Sequence, residues 1–228
     1  MPHSNSPNKN SITKSIKSIF LPTLKDVRTK FTFNKIALVF LINLSMLPIV
    51  IFLGSIAMQL TVGSSNYLSA SSEKNIMAFA LDAVLIMPII EEIIFRGWMT
   101  NNRFIFTISW MVMSVILVTS LIPIKSILIP IIVVSIVLAL SVPIQKYVLK
   151  HFTLFFYLTT IGFALLHITN FTNLNKDLNI LSYLVITSPQ LLAGFVFATI
   201  RNKLGLGYSM LSHIFNNGII LTLGVLLS

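Results

Sequence analysis

The sequence has no cysteine, and this absence removes several kinds of chemistry at once. Disulfide bridges, thiolate metal ligands, a cysteine nucleophile and prenyl or palmitoyl anchors on this chain are all excluded. Charge is also scarce, because 10% of the residues are Asp, Glu, Lys or Arg, against about 25% in a typical soluble domain. With 55% hydrophobic residues and a mean hydropathy of +0.91, the chain has the composition of an integral membrane protein.

Acidic residues are especially few: six Asp and Glu stand against sixteen Lys and Arg, which gives a formal net charge of +10. The distribution of the basic residues argues against nucleic-acid binding, because seven of them precede the first apolar span and most others stand singly in short loops. Residues 1–35 are therefore interpreted as a basic cytoplasmic or interfacial tail that lies against anionic lipid head groups.

Seven apolar stretches follow the tail, each of about the 20 residues that a transmembrane helix needs. They lie near residues 36–60, 76–102, 104–123, 126–143, 152–168, 178–200 and 205–228. The sequence therefore predicts an all-α, polytopic transmembrane helix bundle of about seven spans in one membrane domain, residues 36–228. The third and fourth stretches carry no charge and are predicted to form a helical hairpin at about residues 104–143.

The basic residues outside the spans predict the orientation. With the N-terminus in the cytoplasm, twelve Lys and Arg fall on the inside, and three fall on the outside, namely Lys74, Lys125 and Lys176. The N-terminus is therefore predicted to be cytoplasmic. The basic, Asn-, Lys- and Ile-rich composition favours a multi-pass protein of a bacterial plasma membrane.

Three of the predicted spans contain polar residues that a lipid-facing helix would not tolerate. These residues are Asp82, Glu91, Glu92, Arg96, His167, His213 and Asn217. A charged side chain at the middle of a membrane helix costs on the order of 2.5–3.5 kcal/mol. Such residues must therefore pair, line a water-filled cavity or do chemistry.

Helical spacing separates the two glutamates. Glu92 and Arg96 are four residues apart, so they can pair on one helical face. Glu91 is rotated by about 100°, so Arg96 cannot easily neutralise both carboxylates. One carboxylate is then structural, and the other is free to act as a general base on water.

The two histidines show a similar pattern. Phe163 and His167 share one helical face, and His213 and Asn217 share another. At about 1.5 Å per residue, Glu91, His167 and His213 lie roughly 18, 21 and 15 Å from the cytoplasmic ends of their helices. The three groups are therefore expected at similar depth near the middle of the bilayer, where they can form one site.

Three motifs resemble a known family. Residues 91–97 (EEIIFRG) fit EExxxR in its usual EExxFRG form, residues 163–167 (FALLH) fit FxxxH, and residues 213–217 (HIFNN) fit HxxxN. In this order, on membrane helices, they resemble the CPBP family, also called the Abi or CAAX protease and bacteriocin-processing family, which includes the type II CAAX prenyl endopeptidases. The resemblance covers about residues 76–220. The chain departs from the family in a surplus of about one helical hairpin between the first two motifs, and an even number of crossings preserves the orientation.

The resemblance implies an intramembrane endopeptidase. Glu91, helped by His167, would activate a water that attacks a peptide carbonyl. His213 and Asn217 would stabilise the oxyanion that develops on the carbonyl oxygen. Glu92 and Arg96 would hold the helix and orient Glu91. The supporting residues are Glu92, Arg96 and Phe163.

Family members have also been described as metalloproteases, which leaves a zinc-dependent alternative. One zinc ion would then be held by Glu91, His167 and His213, a plausible catalytic set of two histidines and a carboxylate. We favour the route without a metal, because Asn217 is a poor zinc ligand and a natural oxyanion donor.

Two other classes of function stay open from the sequence. One is a non-catalytic membrane scaffold or bacteriocin immunity factor of the same family, although every motif position is intact. The other is a proton-coupled transporter, which intramembrane ionisable residues would suit but for which no inverted repeat is evident. For an enzyme, the expected substrate is a membrane-associated peptide or protein, such as a pheromone or bacteriocin precursor.

Overall fold

The computed structural model describes residues 22, 30–60, 76–121, 128–170 and 179–227, and every regular element within them is a helix. In chain order the helices are α1 (Phe33–Leu60), α2 (Ile76–Leu81), α3 (Met87–Arg96), α4 (Arg103–Leu121), α5 (Leu128–Lys150), α6 (Phe152–Leu166), α7 (Ile180–Leu204) and α8 (Leu206–Leu227). A π-helical turn (Asp82–Ile86) joins α2 to α3, and a 3₁₀ turn (His167–Asn170) follows α6. The predicted all-α class is confirmed.

The helices have the length and surface of membrane spans. Within the described ranges, four segments are long and apolar enough to cross a bilayer: Phe33–Ala57, Ile131–Lys150, Ile180–Leu204 and Leu206–Leu226. Shorter apolar helices cover Arg103–Ile116 and Phe152–Leu166. Large apolar side chains are exposed along the outer faces, as they are on helices solvated by lipid. The protein is a polytopic integral membrane helix bundle.

Helix α7 lies at the centre of the bundle and packs against α1, α6 and α8, while α8 also packs against α1 and α3. Helices α4 and α5, which cover the stretch predicted as a hairpin at about residues 104–143, pack mainly against each other. The hairpin meets the rest of the bundle at a buried cluster of Trp98, Met99, Phe106, Val148, Phe152, Phe156 and Ala198. This arrangement leaves α3, α6, α7 and α8 to surround the polar residues.

Two predicted boundaries differ from the structure. The sequence predicts a second span that reaches about residue 102, but α3 ends at Arg96, and residues 97–102 connect it to α4, with Gly97 packed closely against Ser109 of α4. A Cβ on Gly97 would overlap the Ser109 hydroxyl, so only glycine fits there. The sequence also predicts that the fourth span ends at Pro143, but α5 continues to Lys150, because its last turns are anchored by Gln145 and Val148.

The predicted basic tail lies outside the described residues, apart from residue 22 and residues 30–35. The described end of the tail is tied to the start of α8 by Tyr208. The Tyr208 hydroxyl donates to Lys30 O at 3.0 Å and accepts from Thr32 N at 2.9 Å, and its ring stacks on Phe31 with centroids 4.6 Å apart.

Candidate active site

The two neighbouring glutamates of α3 occupy different environments. Glu92 is fully buried and pairs with Arg96, with Glu92 Oε1 3.1 Å from Arg96 Nη1. The Glu91 side chain keeps 15% of its surface accessible. Because Glu92, and not Glu91, lies four residues before Arg96, Glu92 is the paired carboxylate and Glu91 is the one that water can reach.

Helix α8 provides two further partners for Glu92. The Ser209 hydroxyl is hydrogen-bonded to Glu92 Oε2 and also lies 2.8 Å from Phe197 O. His213, one turn later on the same face, places its Nδ1 3.2 Å from Glu92 Oε1. Arg96, Ser209 and His213 together satisfy the buried carboxylate, which would otherwise be costly inside a membrane bundle.

Arg96 fixes α3 against α6 and α7. Its Nη2 donates to Gly194 O at 3.2 Å, and its guanidinium carbon lies 4.1 Å from the centroid of the Phe163 ring. A Cβ on Gly194 would lie 2.8 Å from Phe163 Cδ1 and 3.2 Å from Arg96 Nη2. Glycine at this position lets α7 approach the ring and the guanidinium together.

Glu91, His167 and His213 come together from three helical segments. Glu91 Oε2 lies 3.9 Å from His167 Nε2 and 3.5 Å from His213 Nε2. His167 begins the 3₁₀ turn after α6, and its ring packs on Phe163 with centroids 4.5 Å apart. His213 is 2% exposed and stacks on Phe197 at 4.5 Å. A carboxylate thus stands between two imidazoles at an edge that water can reach.

The second ring nitrogen of each histidine fixes its tautomer. His167 Nδ1 is 2.8 Å from Phe163 O, and a carbonyl oxygen can only accept, so Nδ1 carries the hydrogen. His213 Nδ1 faces the Glu92 carboxylate, which also only accepts while it is ionised against Arg96. In neutral imidazoles, both Nε2 lone pairs therefore point toward Glu91. Three acceptors that face one another need a donor between them, and a water molecule supplies two hydrogens.

Asn217 is placed differently from the other predicted site residues. It lies one turn beyond His213 on α8, and its Nδ2 donates to Ala83 O in the π turn at 3.0 Å. Asp82, which begins that turn, is exposed. The structure therefore brings Glu91, His167 and His213 together, whereas the Asn217 amide donates a hydrogen bond to the backbone upstream of Glu91.

Two further residues of this region belong to none of the three motifs. Ser209 lies four residues before His213, and this spacing is its only signal in the sequence. Arg201 falls among the cytoplasmic loop charges by sequence, yet it is buried, and its Nε and Nη2 donate to Arg96 O at 3.2 Å and Met99 O at 2.7 Å. Ser209 therefore holds the Glu92 carboxylate, and Arg201 holds the backbone at the end of α3.

The donor atoms that meet here bear on the zinc-dependent alternative. Two imidazole nitrogens and a carboxylate oxygen are the donors of many catalytic zinc sites. Within the described ranges, however, no group of three or more His, Asp or Glu side chains is arranged to hold a metal ion.

Comparison with known proteins assigns the chain to a family. A carboxylate between two imidazoles inside a membrane helix bundle is an arrangement expected of a membrane-embedded hydrolase. Residues 73–219, more than half of the chain, match the type II CAAX prenyl endopeptidase Rce1-like family, and the chain belongs to this family of proteases. The match includes all three motifs, so the resemblance inferred from them is confirmed. No curated protein and no solved structure matches the chain.

Proposed function

We propose that the protein is an intramembrane endopeptidase that hydrolyses a peptide bond of a membrane-associated peptide or protein. Membership of a CAAX endopeptidase family supports this activity in general. The observation that carries the mechanism is the position of Glu91 Oε2, 3.5 and 3.9 Å from two imidazole Nε2 atoms at an accessible edge of an otherwise buried site.

The first step is activation of water. A water between Glu91 and His167 donates one hydrogen to Glu91 Oε2 and the other to His167 Nε2, which directs its lone pair at the substrate carbonyl carbon. As the new carbon–oxygen bond forms, Glu91 accepts the proton. His167 holds the water in line, because its ring is fixed by Phe163 through the ring face and the carbonyl oxygen.

The second step is stabilisation of the oxyanion and release of the amine. For this step, His213 Nε2 carries a proton that it takes up from bulk water before the substrate binds and keeps through the turnover. Nε2–H is then offered to the oxyanion, and the Glu92 carboxylate beside Nδ1 stabilises the positive ring. A lost oxyanion donor typically costs roughly 3–4 kcal/mol of transition-state stabilisation. When the carbon–nitrogen bond breaks, Glu91 returns its proton to the leaving nitrogen. The resemblance offers Asn217 as a second oxyanion donor, through the amide hydrogen that does not bond Ala83 O.

The substrate belongs to the proposal as well. The family name refers to prenylated CAAX proteins, but the sequence favours a bacterial plasma membrane, where a peptide pheromone, a bacteriocin precursor or another membrane protein is the better candidate. The basic residues of the tail would hold the cytoplasmic face of the protein against anionic lipids.

The test is cleavage of a membrane-anchored peptide library by detergent-purified protein. The wild type is compared with Glu91→Gln, His167→Ala and His213→Ala, each with and without a zinc chelator. Asn216→Ala is the matched control, because Asn216 neighbours the HxxxN face without belonging to it. Activity lost in the first three variants, retained in the control and unchanged by chelator supports the proposal.

Three other outcomes would change the assignment. Cleavage abolished by the chelator and restored by zinc would replace the metal-free route with a zinc site at Glu91, His167 and His213. A wild-type protein that cleaves no library member, yet binds a partner equally well with Glu91→Gln, would favour the non-catalytic scaffold or immunity factor. Uptake driven by a pH gradient would favour the transporter.

A further inference from the structure

The π turn before α3 leaves one backbone carbonyl without a donor from its own helix. Met87 N–H donates to Asp82 O, five residues back, instead of to Ala83 O, four residues back. The next bond of the same pattern would run from residue 88 to Ala83 O, but residue 88 is proline and has no N–H. Ala83 O therefore needs a donor from elsewhere, because an unpaired carbonyl is costly inside a membrane bundle.

Asn217 supplies that donor. Its Nδ2 lies 3.0 Å from Ala83 O, across the interface between the π turn and α8. The two segments are packed together here, since a Cβ on the following residue, Gly218, would meet Val84 Cγ1 at the ordinary contact distance of 3.5 Å. We infer that Asn217 is a positioning residue, which fills the hydrogen-bond vacancy created by Pro88 and thereby clamps α8 to the span that carries Glu91.

The clamp sits where it can control the alignment of the site. Ala83 lies upstream of Glu91 on one continuous span, and Asn217 lies one turn from His213 on α8. The bond between Asn217 and Ala83 therefore sets the position of α8 along this span. A shift of α8 by even about 1 Å would move His213 Nε2 relative to Glu91 Oε2 and slow the reaction.

This inference rests on the proposed function for its effect on catalysis, and it assigns Asn217 a role other than oxyanion contact. The two roles predict different behaviour of a second substitution. If Asn217 fills the vacancy left by Pro88, then Pro88→Ala removes the need for Asn217, because the backbone N–H that this substitution introduces can satisfy the freed carbonyl. If Asn217 touches the oxyanion, no change at residue 88 can replace it.

The experiment is a double-mutant cycle on the full-length protein in detergent, with Asn217→Ala, Pro88→Ala and both together. Thermal unfolding and kcat of peptide cleavage are measured for each. Asn217→Ala alone is expected to lower Tm by roughly 3–6 °C, since it leaves a partly buried acceptor unpaired, and to lower kcat about tenfold. In the double variant, at least half of both losses is expected to return. Asn217→Leu, which keeps the volume and removes the donor, repeats the cycle if the alanine variant does not fold.

Pro143→Ala provides the matched control, because Pro143 is also inside a helix but is exposed on α5. Its effect on Tm should simply add to that of Asn217→Ala. Equal recovery with Pro88→Ala and Pro143→Ala, or no recovery with either, overturns the clamp. Recovery of Tm without recovery of kcat also overturns the positioning role and assigns Asn217 to the oxyanion. A wild type without protease activity would defeat the proposed function, while the Tm cycle would still decide whether the clamp exists.

Discussion

His213 faces Glu92 with one ring nitrogen and Glu91 with the other: Nδ1 lies 3.2 Å from Glu92 Oε1, and Nε2 lies 3.5 Å from Glu91 Oε2. Adjacent glutamates thus contact opposite sides of one imidazole, although their side chains leave α3 about 100° apart. The two glutamates therefore have different roles: Glu92 orients the His213 ring, and Glu91 stays at the accessible edge of the site, where it can activate water.

This division predicts that Glu91→Gln and Glu92→Gln will fail in different ways. Glu91→Gln removes the base from a partly accessible position, so cleavage should be abolished while Tm stays near that of the wild type. Glu92→Gln removes the charge that pairs with buried Arg96 and orients His213, so it should lose both activity and roughly 3–5 kcal/mol of stability. Cleavage assays and thermal unfolding of the two variants check this.

The comparison needs a control for amide substitution as such. Glu73→Gln, which removes an acidic residue that precedes the second predicted span in the sequence, should leave activity unchanged. Equal stability losses at Glu91 and Glu92 would contradict the assignment of Glu92 as the structural carboxylate.

Ser209 provides a test that separates this mechanism from a serine protease. Its hydroxyl bonds Glu92 and Phe197 O and lies on the same helix as His213. Ser209→Ala should weaken the hold on Glu92 and reduce kcat by at most about 10–150-fold, since a hydrogen bond to a charged group contributes roughly 1.5–3 kcal/mol. Loss of a nucleophile would instead cost on the order of 10⁴–10⁶ in kcat. Ser212→Ala, which removes the acceptor of Asn43 Nδ2, is the control and should affect stability more than rate.

Sequence spacing predicts the contacts that one helix can make with itself. The four-residue separation of Glu92 and Arg96 predicts the ion pair, and that of Phe163 and His167 predicts the ring contact. The apolar composition predicts the all-α class, and the absence of charge in the third and fourth stretches predicts the hairpin. Such inferences succeed because helical geometry fixes which residues are neighbours before any tertiary structure forms.

The sequence predicts that Glu91, His167 and His213 lie at similar depth, but it does not predict the individual contacts between helices. No spacing indicates that His213 meets Glu92, or that the amide of Asn217 bonds a carbonyl of the π turn. The π turn itself lies just before Pro88 and packs against α8. The sequence places Arg201 among the cytoplasmic loop charges, because a basic residue at the end of a span has the same sequence position whether it faces lipid head groups or binds the end of another helix.

Arg201 is predicted to stabilise the end of α3. Its guanidinium donates to Arg96 O and Met99 O. Arg201→Ala would leave Met99 O without this donor, while Arg96 O keeps the bond from Met99 N, so the substitution should cost roughly 1–3 kcal/mol. Arg201→Lys keeps the charge but cannot reach both carbonyls in the same planar geometry, so it should recover only part of this loss. Lys203→Ala, an exposed neighbour, controls for loss of a positive charge at the same end of α7. Thermal unfolding of the three variants checks the order, and equal effects at Arg201 and Lys203 would contradict it.

Gly194 and Gly54 are predicted to respond to alanine with opposite signs. Both lie inside helices, where replacing glycine by alanine ordinarily stabilises by roughly 0.5–1 kcal/mol. At Gly54 no atom lies within 4 Å of the added Cβ, so Gly54→Ala should raise Tm. At Gly194 the Cβ would lie 2.8 Å from Phe163 Cδ1, and the ring cannot move freely because Arg96 and His167 pack on it. Gly194→Ala should therefore lower stability by roughly 1–3 kcal/mol and lower kcat as well, because the displaced ring carries His167 away from Glu91. A stabilised or fully active Gly194→Ala variant would show that Phe163 does not hold His167 in place.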